Sequence, residues 1–77
     1  MKLFGYDVDD AEARDRPRTL SEATLVATPA ELRDIARFLV HCADIMDNTG
    51  ERFGHEHLCH YLRDSRLDAD LIVARAD

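Results

Sequence analysis

TPAELRDIARFLVHCADIMDN, residues Thr28 to Asn48, is the one long, strongly periodic stretch of the chain, and its reading decides the fold. Thr28, Pro29, Ala30 and Glu31 form a helix start. The Thr28 hydroxyl can accept from the Glu31 N–H while the Glu31 carboxylate reaches back to the Thr28 N–H, a reciprocal capping box. Pro29 falls at the first helical position, where its missing N–H costs nothing. At roughly 100° per residue, Leu32, Ile35, Ala36, Leu39, Ala43 and Met46 share one stripe. Phe38, Cys42 and Ile45 widen it on one flank and Val40 on the other. The apolar arc is therefore broader than a helix lying on one sheet requires, which implies a second contact: another helix or a partner. Arg33, Arg37, His41 and Asp44 fill the polar face, and the simplest reading of His41 is a solvated histidine. Asn48 and Gly50 supply the stop signal. Asp44 and Asp47 lie near the C-terminal end, where the helix dipole disfavours negative charge.

Outward from this helix, Lys2–Val8 alternates and predicts a first strand, with Phe4, Tyr6 and Val8 facing one way. Asp9–Arg18 is charged, ends near Pro17 and predicts a solvated loop. Thr19–Ala27 alternates again and predicts a second strand. After the helix, Thr49–Gly54 predicts a turn anchored by Phe53. His55–Leu62 predicts a short helix docked by Leu58, Tyr61 and Leu62. Arg63–Asp70 is polar apart from Leu67. Leu71–Ala74, LIVA, predicts a buried central strand. The order β-β-α-α-β predicts an α+β fold: a three-stranded sheet, the long helix packed on one face, a second short helix, and the final strand beside the first or second.

The chain has 77 residues, which predicts a single domain over 1–77 and a core small enough to gain from a partner. A hydrophobic content of 45% with clear periodicity argues against disorder. No apolar run approaches a membrane span. MKLFGYDVDD lacks a secretory apolar region, so the expectation is a cytoplasmic protein beginning at or near Met1. Two cysteines, Cys42 and Cys59, are too few for a disulfide framework and are expected as free thiols. The net charge of −6 disfavours nucleic acid and suits a basic protein partner.

HEHLCH, residues 55–60, is the stretch richest in chemistry. A zinc-protease helix would read H-E-x-x-H, but Cys59 stands where the second histidine belongs. On a helix, His55 with Cys59 and Glu56 with His60 form two pairs about a quarter-turn apart. One metal cannot use all four, so no metal and no cofactor is expected. Cys59 and His60, as helical neighbours, do not face each other, and no glycine-rich phosphate loop exists, so no enzyme is expected. Glu56, His57 and His60 remain as an exposed patch that can serve recognition.

LSEATLVATPAELRDIARFL, FGHEHL and the closing DLIVARAD resemble a family of small bacterial immunity proteins from polymorphic toxin systems, over Leu20–Asp77. The most specific piece is Phe53-Gly54-His55-Glu56-His57-Leu58. The resemblance implies an α+β fold and a toxin-antitoxin-like role, neutralising a cognate toxin by direct binding. The expected partner-binding residues are Asp44, Asp47, Glu51, Glu56, His57 and His60. Two other readings remain open on the sequence: a small metal-binding or regulatory domain using HEHLCH, and a homodimer joined through the wide helix face.

Overall fold

Thr28 adopts an extended conformation and its hydroxyl accepts from the Glu31 N–H at 3.2 Å, while Glu31 Oε1 accepts from the Thr28 N–H at 2.9 Å. The capping box is therefore closed in both directions in the computed structural model, which describes residues 1–9, 16–63 and 68–76. The first helix, α1, spans Pro29–Thr49. Gly50 ends it with φ of 57°, a left-handed conformation that side chains with a Cβ rarely adopt, and its N–H donates to the Met46 carbonyl. A 3-10 turn, Gly50–Arg52, delivers Phe53 into the interior.

Two separate antiparallel ribbons replace the expected three-stranded sheet. Strand β1, Leu3–Gly5, pairs with β2, Arg18–Leu20, in the register Leu3 to Leu20, Phe4 to Thr19 and Gly5 to Arg18. Strand β3, His55–His57, pairs with β4, Ile72–Ala74, in the register His55 to Ala74, Glu56 to Val73 and His57 to Ile72. The final strand thus lies beside β3 and not beside β1 or β2. A second short helix, α2, covers Leu58–Tyr61. The α+β class stands, with the element order β-β-α-β-α-β.

Three expectations change for physical reasons. The second strand ends at Leu20 instead of running to Ala27, because alternation signals an extended chain but a ladder needs a partner, and β1 is only three residues long. Leu25 and Val26 consequently lie exposed. His55–Leu62 is not one helix: its first three residues pair with β4, the Leu58 N–H extends that ladder to the Leu71 carbonyl at 2.8 Å, and only then does α2 begin. A long-range partner has overridden local helical spacing. The LIVA run is not a buried central strand, since Ile72 on its outer side is half exposed. The expected loop Asp9–Arg18 and the polar stretch Arg63–Asp70 fall partly outside the described residues, at 10–15 and 64–67.

The buried core consists of Phe38, Cys42, Phe53 and Leu58, packed against Ile35, Ile45, Met46, Leu62, Leu71 and Val73. It joins one flank of α1 to the 3-10 turn, α2 and the inner face of the β3–β4 ribbon. No residue of β1 or β2 belongs to this cluster. Only part of the predicted stripe is covered: Ile35 and Met46 pack against the core, Leu32 and Leu39 remain exposed together with Val40 on the far flank, and the core has taken the flank bearing Phe38 and Cys42. The wide apolar arc therefore does leave one face of α1 uncovered.

Candidate functional site

Strand alternation sorts the side chains of HEHLCH. Glu56 stands opposite Val73, a residue of the core face, so Glu56 projects to the α1 side of the ribbon. Its charge, secondary to burial itself, pushes the Cys42 thiol pKa up. His55 and His57 project to the other face, their ring centroids 5.1 Å apart, with His57 opposite the half-exposed Ile72. His60, on α2, brings its ring within 5.0 Å of His57. The structure therefore brings His57 and His60 together and separates Glu56 from both.

At the corner where β3 becomes α2, the Asp70 carboxylate organises the local chemistry. Its Oδ1 accepts from the backbone N–H groups of Cys59 at 3.1 Å and Leu71 at 2.9 Å. The first of these satisfies a donor in the opening turn of α2, for which His57 offers no side-chain cap. Its Oδ2 lies 2.6 Å from His57 Nδ1 and 3.4 Å from Cys59 Sγ. Burial acts to raise the Asp70 pKa, but the hydrogen bonds from His57 and from the Cys59 N–H and thiol outweigh it and hold the carboxyl below its ordinary value. An ionised acceptor at Oδ2 places the imidazole proton on Nδ1. Partial loss of hydration against the surrounding residues, followed by the hydrogen bond to Asp70 and its charge, pushes the Cys59 thiol up although the residue is exposed. That is the opposite of what activates a nucleophilic cysteine. Both cysteines are free, Cys42 buried and Cys59 exposed. His57, Cys59 and Asp70 each offer one donor atom, and the three lie within 4.8 Å of one another.

The remaining predicted site residues lie along the C-terminal end of α1. Asp44 and Asp47 are exposed and share a face by their i, i+3 spacing, and Glu51 is exposed in the 3-10 turn. Asp44 also lines a shallow open groove with Ala36, Arg37, Val40, His41 and Tyr61. His41 is exposed, as expected, and its ring also lies 4.9 Å from that of Tyr61, which in turn sits 5.5 Å from Phe38 in the core. Arg37 pairs with Asp34 one turn back along α1. The groove is thus apolar at Val40 of α1 and Tyr61 of α2, and it is acidic at Asp44 toward the end of α1.

Sequence reasoning missed Asp70 and the His41–Tyr61 stack. Nothing in the spacing of DLIV marks its aspartate as a partner for residues more than ten positions upstream, because that contact exists only once β3 and β4 have paired.

A family model for Immunity protein 32 matches residues 22–76. The chain belongs to this immunity-protein family. No curated protein and no solved structure matches it. The matched span begins just after β2 and takes in α1, the 3-10 turn, both short elements of HEHLCH and β4. It therefore contains the whole of the buried core and the Asp70 corner, and it leaves the β1–β2 ribbon outside. Among the described residues no helix is long and apolar enough to cross a membrane.

Proposed function

We propose that this chain neutralises a cognate toxin of a polymorphic toxin system by binding it directly in the cytoplasm, and that it is not an enzyme. Membership of the Immunity protein 32 family is the observation that carries the reading. The surface supports it. Asp44, Asp47 and Glu51 form an acidic edge, and Val40 and Tyr61 beside Asp44 add exposed apolar area, 62% and 38% exposed respectively. Interfaces commonly combine such an aromatic or aliphatic centre with a charged rim. His57 and His60 add a second polar cluster on the outer face of the β3–α2 corner. Glu56 projects to the opposite, α1 side of the ribbon and is not part of this cluster.

The net charge of −6 makes a basic toxin the favoured partner, since complementary charge speeds encounter and fixes orientation. The test is co-purification with the toxin encoded beside this chain, followed by titration calorimetry. Reversal of Asp44 and Asp47 to lysine together should lower the affinity at least about tenfold, or about 1.4 kcal/mol. A double variant that folds and binds as the parent does would move the interface away from the end of α1.

A further inference from the structure

The grounds for expecting no metal in HEHLCH rest on the stretch being one helix, which spreads its donors around the axis. That premise does not hold. His57 ends a strand, Cys59 lies in the first turn of α2, and Asp70 arrives from the residues leading into β4. The fold thereby converges an imidazole, a thiol and a carboxylate from two separated segments onto one point. We propose that His57 Nδ1, Cys59 Sγ and Asp70 Oδ2 form a binding site for a divalent transition metal of the zinc class.

The donor set selects the metal class. A thiolate with an imidazole suits zinc or cobalt and not the hard cations magnesium and calcium, which take oxygen ligands. Zinc–donor distances of about 2.0–2.3 Å place tetrahedral donors roughly 3.3–3.8 Å apart. Here the donors span 2.6 Å between His57 and Asp70, 3.4 Å between Cys59 and Asp70, and no more than 4.8 Å overall. The Cys59–Asp70 separation already lies in the tetrahedral range, and the His57–Asp70 pair must open from 2.6 Å on binding. The carboxylate is already oriented: both backbone bonds to Oδ1 fix Asp70 so that Oδ2 aims at the other two donors. Metal sites commonly hold a ligating side chain in place by hydrogen bonds of this kind to its other atoms.

The protons now shared with Oδ2 mark where the cation goes. On binding, Cys59 loses its thiol proton to solvent. The neutral His57 ring carries its proton on Nε2 instead of Nδ1, freeing Nδ1 to coordinate. One dication with one thiolate and one carboxylate is then charge-neutral, and water completes a four-coordinate site. The metal would tie the start of β4 to the β3–α2 corner. This inference does not depend on toxin binding, and its test needs no toxin.

Full-length protein is stripped with a chelator and titrated with cobalt(II), then with zinc. The expected result is a thiolate-to-cobalt charge-transfer band that saturates at one metal per chain and is abolished by one equivalent of zinc. Zinc should also raise the melting temperature and protect Cys59 from thiol reagents. Cys59→Ser should remove the charge-transfer band, and Asp70→Asn should weaken zinc binding at least about tenfold. Cys42→Ser, which alters a buried thiol outside the site, should leave the band in place. Because Asp70→Asn also disturbs the two backbone bonds, far-ultraviolet circular dichroism must show it folded; if it is not, Cys59→Ser alone decides. A folded parent with no charge-transfer band, or a band that survives Cys59→Ser, overturns the proposal.

Discussion

Replacement of Asp47 by lysine should strengthen the fold and weaken the proposed toxin complex at once. Asp47 lies in the last turn of α1, which carries no basic residue, and its side chain is exposed. The helix C-terminus bears partial negative charge, so an aspartate there is repelled and a lysine attracted, each by about 0.3–1 kcal/mol at low ionic strength. Exposure places Asp47→Lys at the lower end, with a net gain of about 0.5–1 kcal/mol. For a chain of this length each kcal/mol moves the melting temperature by about 4–8 °C, so the variant should melt about 2–8 °C higher. The gain should shrink at high salt as the charges are screened. Thermal denaturation followed by circular dichroism at two salt concentrations measures it. Titration against the toxin at low salt then measures binding, which should weaken. A variant that melts lower than the parent would show that Asp47 has a stabilising role and that the helix dipole does not dominate its energetics.

Phe38 has no exposed surface and packs with Cys42, Phe53 and Leu58 in the buried core of the described residues, so Phe38→Ala should cost about 3–5 kcal/mol in urea unfolding, most of the stability expected for a chain this short. Thr28→Ala opens the capping box and should cost about 1 kcal/mol, an effect that would be missing if α1 began elsewhere. The Glu31 carboxyl is held below its ordinary value by the Thr28 N–H and then by the Thr28 side chain. Its contribution is therefore present above the unfolded-state value and lost as pH falls through the folded one, and Glu31→Gln should flatten this part of the acid limb of the stability curve. A chain lacking residues 1–20 should keep α1 and the β3–β4 ribbon, because neither β1 nor β2 enters the core; loss of cooperative unfolding in this truncation would contradict that.

Features with a local cause were legible from the residues alone. The start of α1 follows from Thr28, Pro29 and Glu31, and its end from Gly50, all within a few positions of the structure they specify. Phe53 was legible as a core anchor because a lone aromatic in a polar turn has few other uses. The flank of α1 chosen by the core was not legible. An apolar arc wider than half the helix offers several faces, and the choice falls to the side on which Phe38 and Cys42 meet Phe53 and Leu58. The division into two ribbons was hidden for a related reason. His55–His57 has no β-branched residue, and it becomes a strand only because β4 pairs with it. Once that pairing is missed, Glu56 is assigned to the same surface as His57, and Asp70 is left as an ordinary polar residue. The corner around Asp70 is a tertiary product that no spacing within HEHLCH could signal.

Direct contact through the acidic end of α1 is the means we propose by which this member of the Immunity protein 32 family neutralises its toxin. The decisive test is titration calorimetry of the purified chain against the candidate toxin from its gene neighbourhood, with the Asp44→Lys, Asp47→Lys double variant run in parallel. The account predicts a saturable complex with the parent chain and an affinity at least about tenfold lower for the folded double variant. Absence of any complex between the purified parent chain and that toxin would contradict it.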